Sequence, residues 1–265
     1  MEKYVPDGFG NAPVKCIAVS AHKDDTEMFA LKGIADCYGK GGFVAVVLTD
    51  GGGCPRAPQY AGVSDEDMAE LRTAEQKRVA AKGGYTALWL LEKSSAEVKE
   101  CSDSLVGELA EILRQYPSVE TLYLHNPFDA HPTHVAACVA AIKAVNLLNE
   151  DEKPRKIYGC EVWRGLDWLA DRDKVALDVS GYDALAAALM DEFETQNAAK
   201  RYDIAAQARR NANATFGHSH ENDVSESVIY AVDMTSLAHG ETLDDFAERM
   251  VADFVSSLCR DIWHK

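Results

Sequence analysis

The segment CIAVSAHKDDTEM, residues 16–28, ends an apolar run in an imidazole and two adjacent carboxylates: His22, Asp24 and Asp25. Two neighbouring carboxylates repel each other unless something positive lies beside them. A second segment, NPFDAHPTH at 126–134, places His131 and His134 behind another apolar run. His22 and Asp25 stand three apart, as do His131 and His134, so each pair can share one face of a helix start. Pro132 suits a first helical turn. Two histidines and one carboxylate form a common open zinc set, with room left for water and substrate. On spacing alone Asp24 is then spare, and so is one of His131 and His134. A spare carboxylate beside an activated water is what a general base requires, and a spare histidine suits an oxyanion or a leaving group. Each motif taken singly has a plainer explanation. H-x-D-D reads as a helix cap, because Asp is a favoured cap residue, and a lone H-x-x-H carries little weight.

The elements that must position these residues follow from the apolar pattern. Strands are expected at 14–20, 43–49, 85–91, 121–125, 158–163, 175–179 and 227–233, and helices at 26–40, 65–82, 102–115 and 134–148. Residues 181–215 and 241–262 read as helical. Alternating helices and continuously apolar strands predict a parallel sheet covered on both faces. The expected architecture is α/β: a three-layer Rossmann-like domain with a mostly parallel sheet and a helical C-terminal elaboration. One domain over 1–265 is expected, with its core at about 14–180 and the elaboration at about 181–265. Ligands of such sheets bind beyond the carboxyl ends of the strands. Three polar clusters fall there, at 22–25, 49–53 and 126–134, so residues a hundred positions apart can meet.

Composition removes several function classes. A formal net charge of −16 argues against nucleic acid or an anionic membrane surface, both of which need a basic footprint. No run of 18 apolar residues predicts a transmembrane helix, and the first 15 residues hold no apolar signal core, so a cytoplasmic protein is expected. The seven scattered cysteines form no C-x-x-C and read as core residues, except Cys54 in a glycine-rich loop. The first strand-to-helix turn, SAHKDDTE, has no glycine and no G-x-x-x-x-G-K-[ST] occurs, which excludes the dinucleotide and P-loop fingerprints.

Taken together, AHKDDTE, VVLTDGG, RTAEQKRVAAKGG and NPFDAHPTH resemble the LmbE-like (PIG-L) family of zinc-dependent N-deacetylases. The family pattern reads A-H-P-D-D-x-E, T-D-G, R-x-x-E and H-P-D-H, in the same order and at similar spacing. The resemblance covers roughly residues 14–150; FETQ at 193–196 and FGHSHENDVSESVIY at 216–230 are similar in outline only. It implies that His22, Asp25 and His134 ligate Zn2+, that Asp24 activates the water, and that His131 assists the tetrahedral intermediate. It also implies that Arg72 contacts substrate, with Glu75 structural. The implied activity is removal of an acetyl or other acyl group, through a linear amide, from an N-acetylglucosamine-type amino sugar or glycoconjugate.

Two positions depart from the family pattern. Lys23 replaces the proline of A-H-P-D-D and Thr133 the aspartate of H-P-D-H. An inward-turned Lys23 would lower the basicity of Asp24, and Thr133 removes a carboxylate that tunes the histidines. Two further functions therefore remain open: an amidase for a larger acyl or thiol conjugate, and a catalytically weakened, zinc-bound sugar-binding protein. The same ligands accept iron, cobalt or manganese, and the sequence leaves open which sugar is used and whether a homo-oligomer forms. Outside the motifs, His218 and His220 fall in a polar loop, His125 reads as a packed residue, and Trp163 and Trp168 read as core or sugar-stacking aromatics.

Overall fold

The computed structural model describes every residue except 218, 219, 264 and 265, and Asp261 by its backbone only. The strands are β1 (Glu2–Tyr4), β2 (Cys16–Ser20), β3 (Phe43–Thr49), β4 (Ala87–Lys93), β5 (Thr121–His125), β6 (Lys156–Cys160), β7 (Lys174–Asp178) and β8 (Val228–Asp233). They form one sheet in the order β1-β4-β3-β2-β5-β6-β8-β7. β4, β3, β2, β5 and β6 run parallel, whereas β1, β8 and β7 pair antiparallel at the two edges. β2 and β3 are buried at every position, because their alternate side chains enter two separate cores. Ile17, Val19, Val44 and Val46 face one core; Cys16, Ala18, Phe43 and Ala45 face the other.

Helices cover both faces. One layer contains α1 (Asp25–Phe29), α2 (Leu31–Cys37), α3 (Asp65–Lys82) and α7 (Asp183–Met190). Phe29, Ile34, Val79 and Leu189 pack from these helices against the second core. The opposite layer contains α4 (Ser95–Glu100), α5 (Asp103–Arg114), α6 (Pro132–Asn146) and α10 (Leu243–Ser257), which bury Val98, Leu109, Ala141 and Phe246. α8 (Glu194–Asn197), α9 (Tyr202–Phe216) and α11 (Arg260–Trp263) complete the C-terminal third. The fold is therefore the expected three-layer α/β arrangement with a helical C-terminal elaboration. No helix among the described residues is long and apolar enough to cross a membrane.

Several boundaries differ from the expectation. The helix expected at 26–40 is two helices with a break at Ala30 (φ −103°), although Ala30 N–H still donates to Thr26 O and Ile34 N–H to Ala30 O. α6 begins at Pro132 rather than His134, with the His131 ring as its cap: Nδ1 accepts from Thr133 N–H at 3.3 Å. β6 ends at Cys160, so Trp163 lies beyond the strand and is 44% exposed. The strand β1 and the helix α4 have no counterpart in the expectation.

β2 lies where strand order reverses, with β3 on one side and β5 on the other. That is the switch point at which an open α/β sheet forms its crevice. The pairing of β3 with β4 also shifts register between Val47 and Thr49, at the carboxyl end of β3.

Candidate metal centre and catalytic cleft

The chain leaves β2 through Ala21–Asp24 and enters α1 at Asp25. Asp24 has φ 102°, a left-handed conformation that a non-glycine residue keeps only where its surroundings hold it. The holding groups come from α3 and from the ends of β3 and β4. Asp24 N–H donates to Gln76 Oε1 at 3.2 Å. Arg72 donates to the Lys23 carbonyl at 2.6 Å. The buried Lys23 ammonium donates to Asp50 O (2.6 Å), Thr73 Oγ1 (2.8 Å) and Glu92 Oε2 (3.1 Å). Burial draws its pKa below the ordinary lysine value, with Glu92 opposing. The cation within 4 Å of Asp24 is instead Arg72, whose guanidinium lies 3.7 Å from Oδ2. Lys23 thus fastens the turn.

Three ligand-type atoms converge at this turn. His22 Nδ1 lies 3.1 Å from Asp25 Oδ2 and 3.1 Å from His134 Nε2, and His134 Nε2 lies 3.3 Å from Asp25 Oδ2. Donors held about 2.0–2.1 Å from a tetrahedral zinc stand about 3.3–3.4 Å apart. The two imidazoles and the carboxylate therefore fit a divalent ion in both chemistry and spacing. Asp25 and His134 support each other's charged forms, so an ion bound between them would displace the His134 proton. Burial would raise the Asp25 carboxyl, yet His134, His22 and His125 hold it well below the usual range. Burial would lower His134, yet Asp25 and Asp129 carry it up to about 9.

Two other triples bring ligand-type atoms within 4.8 Å: His22, His131 and His134, and Asp25, His125 and His134. Hydrogen bonding separates them from the first set. His125 Nε2, 3.3 Å from Asp25 Oδ2, already accepts from Ala21 N–H at 3.0 Å. His131 Nδ1 accepts from Thr133 N–H, which leaves its Nε2 as the donor of the neutral ring. The His131 ring stacks on His134 with centroids 4.6 Å apart and meets His22 edge-on at 4.9 Å. Burial, with His134 and His22 nearby, pushes it down to about 4.

Asp129 is the residue that motif reading passed over. Its Oδ2 lies 3.4 Å from His134 Nδ1, an ion-pair contact rather than a short hydrogen bond. Its carboxylate also accepts from His131 N–H (3.0 Å) and Trp163 N–H (3.1 Å). A carboxylate behind a ligand histidine orients the ring and raises its basicity. Asp129 supplies the carboxylate that Thr133 lacks. It stands two residues before His131 in NPFDAH, the one signal available in the sequence.

Asp24 Oδ2 is buried and meets no hydrogen-bond donor. Burial, Asp25 and Glu27 push its carboxyl well above the usual range, with Arg72 opposing. A dication in the neighbouring set would draw it back toward the ionised form. Arg72 itself is buried, donating to Gly51 O at 3.2 Å as well as to Lys23 O. With its amide oxygen turned to the guanidinium, Gln196 accepts from Arg72 Nε at 2.8 Å. Glu75, one turn along α3, accepts from Thr195 N–H (2.9 Å) and Thr195 Oγ1 (2.7 Å). The FETQ segment is thereby tied to α3.

Above these groups lies a cleft of about 1000 Å³, lined by His22, Asp24, Asp25, Arg72 and His131 on its floor. Gly51–Gly53, Glu92, Trp163, Gln196 and Tyr202 form parts of its walls. Trp163 reaches the rim beside His131, ring centroids 5.9 Å apart, whereas Trp168 packs on Phe128 and Phe254. His220 is exposed, and His218 lies outside the described residues.

No curated protein matches this chain. Among solved structures, the N,N'-diacetylchitobiose deacetylase of Pyrococcus horikoshii is 16% identical, with TM-score 0.67 over 91% of this chain and 90% of its own. GalB, the 4-carboxy-2-hydroxymuconate hydratase of Pseudomonas putida KT2440, is 17% identical, with TM-score 0.62 over 83% and 96%. A deacetylase of the teicoplanin biosynthesis pathway is 12% identical, with TM-score 0.56 over 83% and 98%. At such identities the likeness is one of fold, and one fold hosts several chemistries. The family model described as PIG-L: GlcNAc-PI de-N-acetylase matches residues 17–145, the stretch that carries His22, Asp24, Asp25, Arg72, Asp129, His131 and His134. Residues 17–145 of this chain therefore match the PIG-L (LmbE-like) family.

Proposed function

We propose that the protein is a metal-dependent deacetylase that removes an acetyl group from an N-acetylglucosamine-type amino sugar or glycoconjugate, with zinc as its ion. The observation that carries this reading is the convergence of His22 Nδ1, Asp25 Oδ2 and the buried His134 Nε2 at a cleft that His22 and Asp25 line and that is large enough for a sugar. The family match and the deacetylases that share the fold support it.

In this reading His22, Asp25 and His134 hold the ion, which would polarise an amide carbonyl and make water nucleophilic at neutral pH. Asp24, with Oδ2 free of other donors, accepts the proton of the attacking water and returns it to the departing amine. His131 donates from Nε2 to the carbonyl oxygen as charge develops there. Arg72, 3.7 Å from Asp24 Oδ2, steadies Asp24 and, where it lines the cleft, meets a polar group of the substrate. Trp163 gives the sugar an aromatic face at the rim. Neither departure from the family pattern disables this arrangement: Lys23 is bonded elsewhere, and Asp129 backs His134. We also read residues 1–265 as one domain, since β7 and β8 extend the sheet that the N-terminal part begins.

The test is acetate release by zinc-loaded protein from a panel that includes N-acetylglucosamine, its methyl glycosides and N,N'-diacetylchitobiose. The reading expects acetate and free amine in equal amounts from at least one member. No release from any N-acetyl amino sugar would overturn it.

A further inference from the structure

A second, smaller cavity of about 240 Å³ adjoins the cleft. Met28, Trp163 and Tyr202 line both spaces, so these side chains form a shared wall. Val162, Ala206 and Ile229 continue the apolar lining, and Glu161, Arg209 and Arg210 bring charged groups to it. The tail of an acetyl group, a single methyl, does not need such a space.

Arg210 is the anomaly in this pocket. It is 3% exposed, and its Nε and NH1 meet no acceptor. The remaining nitrogen, NH2, donates to Gln207 Oε1 at 2.8 Å. No ion pair among the described residues includes it, and Asp183 reaches it only through Gln207, whose amide donates to Asp183 Oδ1 at 2.9 Å. Burial pushes its pKa down to about 10, with Asp183 opposing. A buried cation left short of partners is costly, so this position favours an incoming anion.

The other charged groups of the pocket do not satisfy Arg210. Glu161 accepts from Leu166 N–H (3.0 Å), Tyr230 N–H (3.1 Å) and the Asn213 amide. Arg209 donates to the Val162 carbonyl. The pocket thus combines an apolar entrance beside His131 with a guanidinium that lacks acceptors.

We propose that this pocket is a substrate subsite for a carboxylate carried on a short apolar stem, with Arg210 as its counter-ion and Trp163 as the wall that the stem passes. The proposal rests on the deacetylase reading only in placing the pocket beside the reacting amide. Two sources give the same chemistry: a carboxylate at the end of the acyl group, or one on a substituent of the amine-bearing sugar.

The experiment measures binding by calorimetry and turnover in parallel, with zinc-loaded protein. The ligands are N-acetylglucosamine, N-butyrylglucosamine, N-succinylglucosamine and N-acetylmuramic acid. A charged hydrogen bond in a buried pocket predicts about tenfold or more tighter binding for a carboxylate-bearing compound than for its neutral partner. N-succinyl over N-butyryl places the carboxylate on the acyl side; N-acetylmuramic acid over N-acetylglucosamine places it on the sugar side. Arg210→Gln should abolish the preference, Arg210→Lys should keep part of it, and Ala206→Phe should remove it by filling the space. The second and third variants keep the proposal testable if Arg210→Gln does not fold. A carboxylate preference without turnover would support the pocket and count against the deacetylase. Turnover with equal binding of charged and neutral compounds would overturn the pocket and leave the deacetylase standing.

Discussion

At the scale of single residues, the proposed site consists of ligands, of groups that would act on the substrate, and of groups that hold both in place. That His22, Asp24, Asp25, His131 and His134 would come together was legible because each stands within a few positions of a predicted strand end, where the fold class brings loops to one edge. Asp129 was not, since a carboxylate that backs a ligand needs only to reach the far side of a ring and has no fixed spacing. Nor could the sequence orient Lys23, because the acceptors that capture it come from three other elements. Asp129→Asn should therefore keep the fold and weaken zinc binding by about 10- to 100-fold, measured by competition with a chromogenic chelator; unchanged affinity would deny the Asp129–His134 contact its role. Lys23→Met should lower stability by about 1–3 kcal/mol, since the Asp50 carbonyl and Thr73 lose a buried donor. Urea denaturation reads this directly, and equal or greater stability would show that Lys23 does not fasten the turn.

At the scale of elements, α3 is the organiser of the cleft. From one face it sends Arg72 to the Lys23 and Gly51 carbonyls, Gln76 to Asp24 and Glu75 to Thr195. It thereby joins the turn after β2, the loop after β3 and the C-terminal third. Thr195→Val should remove one of the two donors to the buried Glu75 carboxylate and cost about 1–3 kcal/mol. A variant with wild-type stability would mean that the α3 contact with this segment contributes nothing. The parallel centre of the sheet was readable because strands buried on both faces are continuously apolar. Strand direction leaves no mark in such a pattern, so the antiparallel β7 and β8 were not. β1 is a three-residue edge strand, too short to carry a period. α4 did carry a sign, the Ser94–Glu97 capping box, although it spans only six residues between two stronger elements.

At the scale of the whole molecule, two regions that are distant in sequence share one crevice. Residues 17–145, which match the family model, carry the proposed ligands and base, whereas Gln196, Lys200 and Tyr202 reach the cleft from the C-terminal third, where the family motifs fade. In the proposed reading chemistry and specificity are thus separated along the chain, so the sequence motifs point to a reaction and say little about its substrate. The central claim is that two adjacent aspartates have different tasks: Asp25 holds the ion and Asp24 serves as base. The decisive measurement is zinc per chain together with turnover, for Asp24→Asn and Asp25→Asn side by side. Asp25→Asn removes an anionic ligand, so zinc and activity should fall together. Asp24→Asn leaves all three ligands, so about one zinc per chain should remain while turnover falls by about 10²- to 10⁴-fold. Loss of zinc from Asp24→Asn with retention in Asp25→Asn would exchange the two roles, and near-normal zinc and turnover in both would contradict the account of this turn as a catalytic centre.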